Sequence, residues 1–160
     1  DAWRDSKKRG LISRYKDTNI ILSGGVDDIW LDTKTGEFIV VDYKSQASSE
    51  PVETESYLAN AYHQGYKVQM DFYNYLLTSM GYKTSPISYF LVVNADKSVD
   101  GFYGNMKFSE TLIPYRNDIS WLPEKIEAMI KLMNSKEIPN SHESCENCAY
   151  SRARSKFDID

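Results

Sequence analysis

Apolar positions recur along this chain with two different periods, and each change of period marks an element. Asn19 to Ser23 is a short apolar run that reads as a strand. Val26 to Asp32 alternates and carries Ile29, Trp30 and Leu31. Glu37 to Lys44 is rich in β-branched residues and is the strongest strand signal in the chain. Between these two, Thr33-Lys34-Thr35-Gly36 is a turn signal that ends in glycine. Ser45 to Glu55 is polar, contains a proline and reads as a mobile loop. The period then lengthens. From about Tyr62 to Met80, the residues Tyr66, Met70, Tyr73, Leu77 and Met80 fall at spacings of four and three, one stripe of a helix that Gly81 would stop. Ile87 to Asn94 predicts a second buried strand, and Gly101 to Pro114 one or two more. Ser120 to Asn134 is an amphipathic helix with Pro123 tolerable in its first turn, and the chain from Ser135 on is polar.

The predicted order is β-β-β-α-β-β-α, an α/β or α+β domain built on a mixed sheet flanked by helices. At 160 residues the chain is long enough for one proper core, so residues 1–160 are read as a single domain with a polar, cysteine-bearing tail from about 135. No glycine-rich phosphate loop follows a strand, which argues against a doubly wound nucleotide fold.

The two strands flanking the turn can be set in register. With the turn centred on Lys34-Thr35, partners have numbers that sum to 69, so Asp27 faces Asp42, Ile29 faces Val40 and Leu31 faces Phe38. One face then carries four apolar side chains, with Asp27, Asp42 and Lys44 at its far end. A slip by one residue would pair Asp32 with Phe38 and mix polar with apolar positions. Two carboxylates that close repel unless a cation intervenes. A hard divalent ion, held by one or two carboxylates and several waters, resolves the repulsion. Lys44 points the same way as Asp42, where its ammonium can orient a water or offset charge on phosphoryl oxygens. A solvent-facing strand end with an ordinary Asp–Lys pair is the plainer reading. On the predicted helix, Gln69 and Tyr73 are four apart and share a face. They could bond a phosphate or stack on a base, or be a boundary residue and a core residue.

Bulk composition narrows the class. Hydrophobic residues make up 41% and aromatics 13%, globular values. The formal net charge of -4 argues against a broad nucleic-acid-coating surface but leaves room for local basic tracks. Arg4, Lys7, Lys8, Arg9, Arg14 and Lys16 cluster near the start, and Arg152, Arg154 and Lys156 near the end. Solvated termini explain them as well as DNA contact does. The apolar runs are too short to cross a membrane, and no secretory signal is visible. Without an initial Met the chain reads as a fragment or a trimmed protein. Cys145 and Cys148 form one C-x-x-C, which points to a reducing cytoplasmic setting and to metal or redox chemistry. With His142 they make an H-x-x-C-x-x-C that could join a zinc site. Two reduced surface thiols are the equal alternative.

Taken together, Gly24-Gly25-Val26-Asp27, Asp42-Tyr43-Lys44 and Gln69-Met70-Asp71-Phe72-Tyr73 resemble, in order and on suitable elements, the motifs of the PD-(D/E)XK nuclease superfamily in its RecB-like branch. The resemblance is clear from Ile20 to Asn94 and topological beyond. It implies a restriction-endonuclease-like core and cleavage of DNA with magnesium or manganese to leave a 5′-phosphate. It makes Asp27 and Asp42 metal ligands, with the Tyr43 carbonyl a further one, Lys44 the catalytic lysine, and Gln69 and Tyr73 DNA-positioning or site-organising residues. The alternative on the same fold is an inactive nucleic-acid-binding or assembly module. Two features depart from the family pattern. Many relatives add a His or Glu ligand from an N-terminal helix, and the first twenty residues contain neither, so that ligand lies upstream or is lost. Iron–sulfur relatives carry four cysteines, whereas Cys145 and Cys148 supply only one pair and Arg154 stands where a third would be expected.

Overall fold

The computed structural model describes residues 10–98, 100–101 and 103–157. Arg4, Lys7, Lys8 and Arg9 lie outside the described residues. The chain divides into two compact units, 1–122 and 123–160.

The first unit contains two sheets. β1 (Leu11–Arg14) and β2 (Ile21–Gly24) form an antiparallel pair in which Leu11 faces Gly24. The second sheet has the order β3-β4-β5-β6, from β3 (Asp28–Leu31), β4 (Phe38–Ser48), β5 (Ile87–Asp96) and β6 (Phe108–Arg116). β3 and β6 run antiparallel to their neighbours and β4 runs parallel to β5, so the sheet is mixed. A parallel pair needs a crossover. It is supplied by α1 (Thr54–Ala59), a 3-10 turn (Ala61–His63) and α2 (Gln64–Ser79).

The hairpin register matches the sequence reading: Ile29 pairs with Val40 and Leu31 with Phe38. Local chemistry at the turn explains why. The Asp32 carboxylate accepts from the Lys34 amide at 2.8 Å, Asp32 and Glu37 close the ladder at 2.9 Å, and Gly36 takes φ 70, a value that glycine tolerates. These amide bonds, that of Lys34 foremost, hold the Asp32 carboxyl below the usual carboxylate range.

The face carrying Val40 packs under α2. Its core includes Leu11, Val26, Val40, Met70, Leu76, Phe90, Val92 and Ile113. Burial along the hairpin rises towards the carboxylate end, from Leu31 at 53% exposed to Val40 at 0%. β5 alternates strictly, with Ser88, Phe90, Val92 and Asn94 buried on one face. Asp71 of α2 is buried and accepts from the Tyr115 hydroxyl at 3.0 Å, the Asp118 amide at 3.0 Å and the Trp121 indole at 3.1 Å, which ties α2 to the end of β6. In the second unit lie α3 (Leu122–Met133, begun by the last residue of the first unit) and α4 (Glu146–Arg154).

Several elements differ from the expected ones. The segment Ser45 to Ser48 is strand, not loop, because its backbone pairs with Val93 to Asp96 of β5. Polar side chains hid it. β1 and α1 are too short to display a period, and α4 lies within the polar tail. Gly101 to Pro114 yields one strand, which starts at Phe108. Met80 is the exposed cap of α2, not part of its buried stripe.

Candidate active site

The far end of the β3–β4 hairpin is where sheet and helix meet. Asp28 and Val41 are the last ladder pair, so Asp27 and Asp42 come next on opposite strands. The Asp27 carboxylate accepts from the Tyr43 backbone amide at 2.8 Å and thereby extends the ladder with a side chain. That bond fixes its carboxyl beside Asp42.

Asp42 is 2% exposed. Burial pushes its carboxyl above the usual carboxylate range; Lys44 works against that and Asp27 adds to it. Its Oδ2 is buried and meets the Lys44 ammonium as a close ion pair. Lys44 is held from two further sides. Its Nζ donates to Gln69 Oε1 at 3.3 Å and lies over the Tyr66 ring, 4.5 Å from the centroid. Gln69 in turn donates from Nε2 to the Tyr73 hydroxyl at 2.7 Å. Burial pushes the Tyr73 phenol up, the Gln69 bond lowers it, and Asp42 and Asp27 raise it. The phenol therefore stays protonated and can serve the site only as a neutral group.

The chain Asp42–Lys44–Gln69–Tyr73 joins a strand to a helix 25 residues further on. Its last member explains the glycine upstream. A Cβ on Gly24 would lie 2.9 Å from Tyr73 Cε1 and 3.2 Å from Leu76 Cδ1. The Tyr73 ring thus occupies the space that a side chain at Gly24 would need. Tyr73 belongs both to the core and to the polar chain.

The structure brings five candidate residues, Asp27, Asp42, Lys44, Gln69 and Tyr73, together in one cluster. Tyr43 contributes its amide there; its hydroxyl points elsewhere and donates to Asp28 Oδ2 at 2.5 Å. The cysteine pair behaves differently. Cys145 precedes α4 and Cys148 lies in its first turn, both as free thiols. The Cys148 amide, then its thiol, hold the Cys145 thiol below its ordinary value, and Cys145 pushes Cys148 up. His142 has its Nδ1 2.8 Å from the Ser144 hydroxyl. Among the described residues no three His, Cys, Asp or Glu side chains converge as a metal-binding group.

Tyr66 is the residue that sequence reasoning missed at this site. It lies on the apolar stripe of α2, where the period alone implies packing; its position three residues before Gln69 is the available signal.

A family model of the PD-(D/E)XK nuclease superfamily matches residues 4–153. The chain belongs to that superfamily. Its mixed four-stranded sheet flanked by helices is the restriction-endonuclease-like fold, and the family assignment supports a nuclease-type function. No curated protein and no solved structure matches the chain significantly. Among the described residues no helix is long and apolar enough to cross a membrane.

The donor set fits a divalent cation. Two adjacent carboxylates, one of them buried, are what a hard cation with several retained waters takes from protein.

Proposed function

We propose that this superfamily member is a RecB-like deoxyribonuclease that depends on magnesium or manganese and hydrolyses phosphodiesters to leave a 5′-phosphate. The observation that carries the reading is the juxtaposition of Asp27, Asp42 and Lys44 at one strand end, with Lys44 gripped from α2. Asp27 and Asp42 would hold the cation, with the Tyr43 carbonyl as a further ligand. The cation, when bound, polarises the phosphoryl oxygen and makes a water more acidic.

The protein's own groups supply the rest. Lys44 presents a fixed positive charge where the attacking water and the phosphoryl oxygens meet, and offsets the charge that builds as the water oxygen bonds to phosphorus and the bond to the 3′ oxygen breaks. Gln69 and Tyr66 keep that ammonium in one place, so little reorganisation is needed during reaction. Tyr73 fixes the rotamer of Gln69. We treat residues 1–160 as one functional domain, a reading supported by a family match that spans both compact units.

The test is cleavage of linear and circular DNA, single- and double-stranded, with magnesium or manganese. Wild type is expected to cleave, chelator to stop it, and Asp42→Asn or Lys44→Ala to slow it by about a hundredfold or more. Wild type that binds DNA in a salt-sensitive way but never cleaves it would identify the alternative, a binding or assembly module on the same fold.

A further inference from the structure

α2 borders the site with more than Gln69. Tyr62, Tyr66, Gln69 and Tyr73 fall at i, i+4, i+7 and i+11, which is one side of a helix. The 3-10 turn that carries Tyr62 runs into α2 without a break, since His63 and Gln64 keep right-handed helical backbone, at φ -90 ψ -1 and φ -62 ψ -36. The stripe therefore leads outward from the core. Tyr73 is buried, Gln69 and Tyr66 hold the Lys44 ammonium, and Tyr62, one turn further on, is 90% exposed.

The turn beneath Tyr62 is pinned. The Tyr62 amide donates to Asn60 Oδ1 at 2.9 Å and the His63 amide to the Asn60 carbonyl at 3.0 Å. Gln64 Nε2 donates to that carbonyl at 2.9 Å and to the carbonyl of Leu58 at 3.3 Å. The His63 Nδ1 lies 2.8 Å from the Tyr57 carbonyl, and the His63 ring stacks on Tyr66 with centroids 5.2 Å apart. The residue next to Tyr62 thus touches the ring that supports Lys44.

An exposed aromatic ring alone is ordinary. Tyr103, Tyr150 and Phe157 are also strongly exposed, but none stands on an element that contributes to the Asp42–Lys44–Gln69–Tyr73 chain. Tyr62 differs in being fixed by its turn and in continuing the stripe that holds Lys44. A ring on a fixed backbone loses little freedom when a partner covers it. Nucleotides flanking a phosphate at Lys44 pass over the elements that border the site, and α2 is one of them. Every base offers a π-face to such a ring, whatever its identity. In a duplex the neighbouring base pairs cover those faces, so the ring selects bases that are out of the stack.

We propose that Tyr62 is a stacking platform for a base of the strand being cut, and that the site therefore takes single-stranded DNA in preference to duplex. The cutting rests on the function proposed above; the stacking contact is measured by binding alone.

The experiment is fluorescence anisotropy at low salt with three labelled probes: a single-stranded oligonucleotide of mixed sequence, a strand of the same length made of abasic sites, and a blunt hairpin duplex. Chelator is present, so nothing is cleaved. Wild type should bind the single strand more tightly than the hairpin. Tyr62→Ala should weaken single-strand binding about tenfold, the scale of one lost base stack. Tyr62→Phe, which keeps the ring, and Tyr103→Ala, which removes an exposed ring elsewhere, should stay within about twofold of wild type. On the abasic strand Tyr62→Ala should match wild type. Wild-type affinity in Tyr62→Ala overturns the proposal and leaves the ring to a partner other than DNA. An equal loss in Tyr62→Phe, the same loss on the abasic strand, or a wild type that does not prefer the single strand overturns it as well. If wild type shows the expected affinities yet cleaves no DNA with magnesium or manganese, the nuclease reading fails and the stacking contact stands.

Discussion

The carboxylate end of the β3–β4 hairpin and the cysteine-bearing segment before α4 began as equivalent signals, two pairs of metal-capable residues at short spacing. Their surroundings separate them. At the hairpin, Asp27 meets Tyr43 across 16 residues and Lys44 meets Gln69 across 25. Around the cysteines, His142 bonds Ser144 two residues away and Arg152 reaches Ser141 at a separation of 11. Among the described residues, one cluster is positioned by sheet register and a packed helix, the other by its own neighbours in sequence. Preorganised charge requires the first kind of support, because a group held by one local bond has alternatives open to it and a group held from three elements has few.

The largest test of that contrast is catalytic. Lys44→Ala removes the fixed cation and should lower kcat by about 10²–10³, the scale for losing one preorganised charge-stabilising group. Gln69→Ala leaves the cation in place but frees it, and should cost less, roughly tenfold. Equal losses in the two variants would mean that Gln69 does more than hold Lys44. DNA cleavage rates at saturating metal decide between them.

The next test concerns packing. Gly24→Ala puts a methyl 2.9 Å from the Tyr73 ring, so the ring or β2 must shift. Overpacking of this kind costs about 1–3 kcal/mol, and here it should also lower kcat because Tyr73 anchors Gln69. Gly65, near the start of α2, meets nothing within 4 Å. Gly65→Ala should therefore stabilise by about 0.5 kcal/mol through helix propensity. Thermal melts of the two variants should move in opposite directions.

These contrasts also show what was legible beforehand. The hairpin register could be read because opposed apolar pairs penalise a slip, and the same register placed Asp27 against Asp42. The α2 stripe could be read because its period is long. The β4 extension could not, since Ser45 to Ser48 owe their strand to β5 and not to their own side chains. Tyr66 and Asp71 were illegible for a related reason. An aromatic or acidic residue on a helix discloses its partner only when the sheet brings Lys44 or Tyr115 against it.

A smaller effect is expected with pH. The Asp42 carboxyl is raised in the folded state, chiefly by burial, so folding favours its protonated form. Its contribution to stability is complete below the ordinary carboxylate range and is lost as pH rises through the raised value. Metal-free wild type should therefore lose stability relative to Asp42→Asn as pH climbs from about 4 towards neutrality. The difference between the two melts isolates Asp42 from Asp32, Asp96 and Asp118, whose carboxyls are lowered and drive stability the other way. Manganese should reverse the loss in wild type alone, because a cation that binds only the folded state stabilises by mass action.

The smallest effect is expected at the cysteines, and it completes the comparison. A closed structural zinc or iron–sulfur site takes four protein ligands. Here two thiols face each other and the His142 Nδ1 is engaged by Ser144. Metal analysis after dialysis should give well under one zinc or iron per chain, without the colour of a cluster. Cys145→Ser with Cys148→Ser should shift stability by no more than about 0.5 kcal/mol, as surface substitutions do, and leave DNA cleavage within twofold. A stoichiometric metal lost on that double substitution would reverse the contrast: the locally held pair would then be a metal site in its own right, completed by a ligand from beyond the described residues.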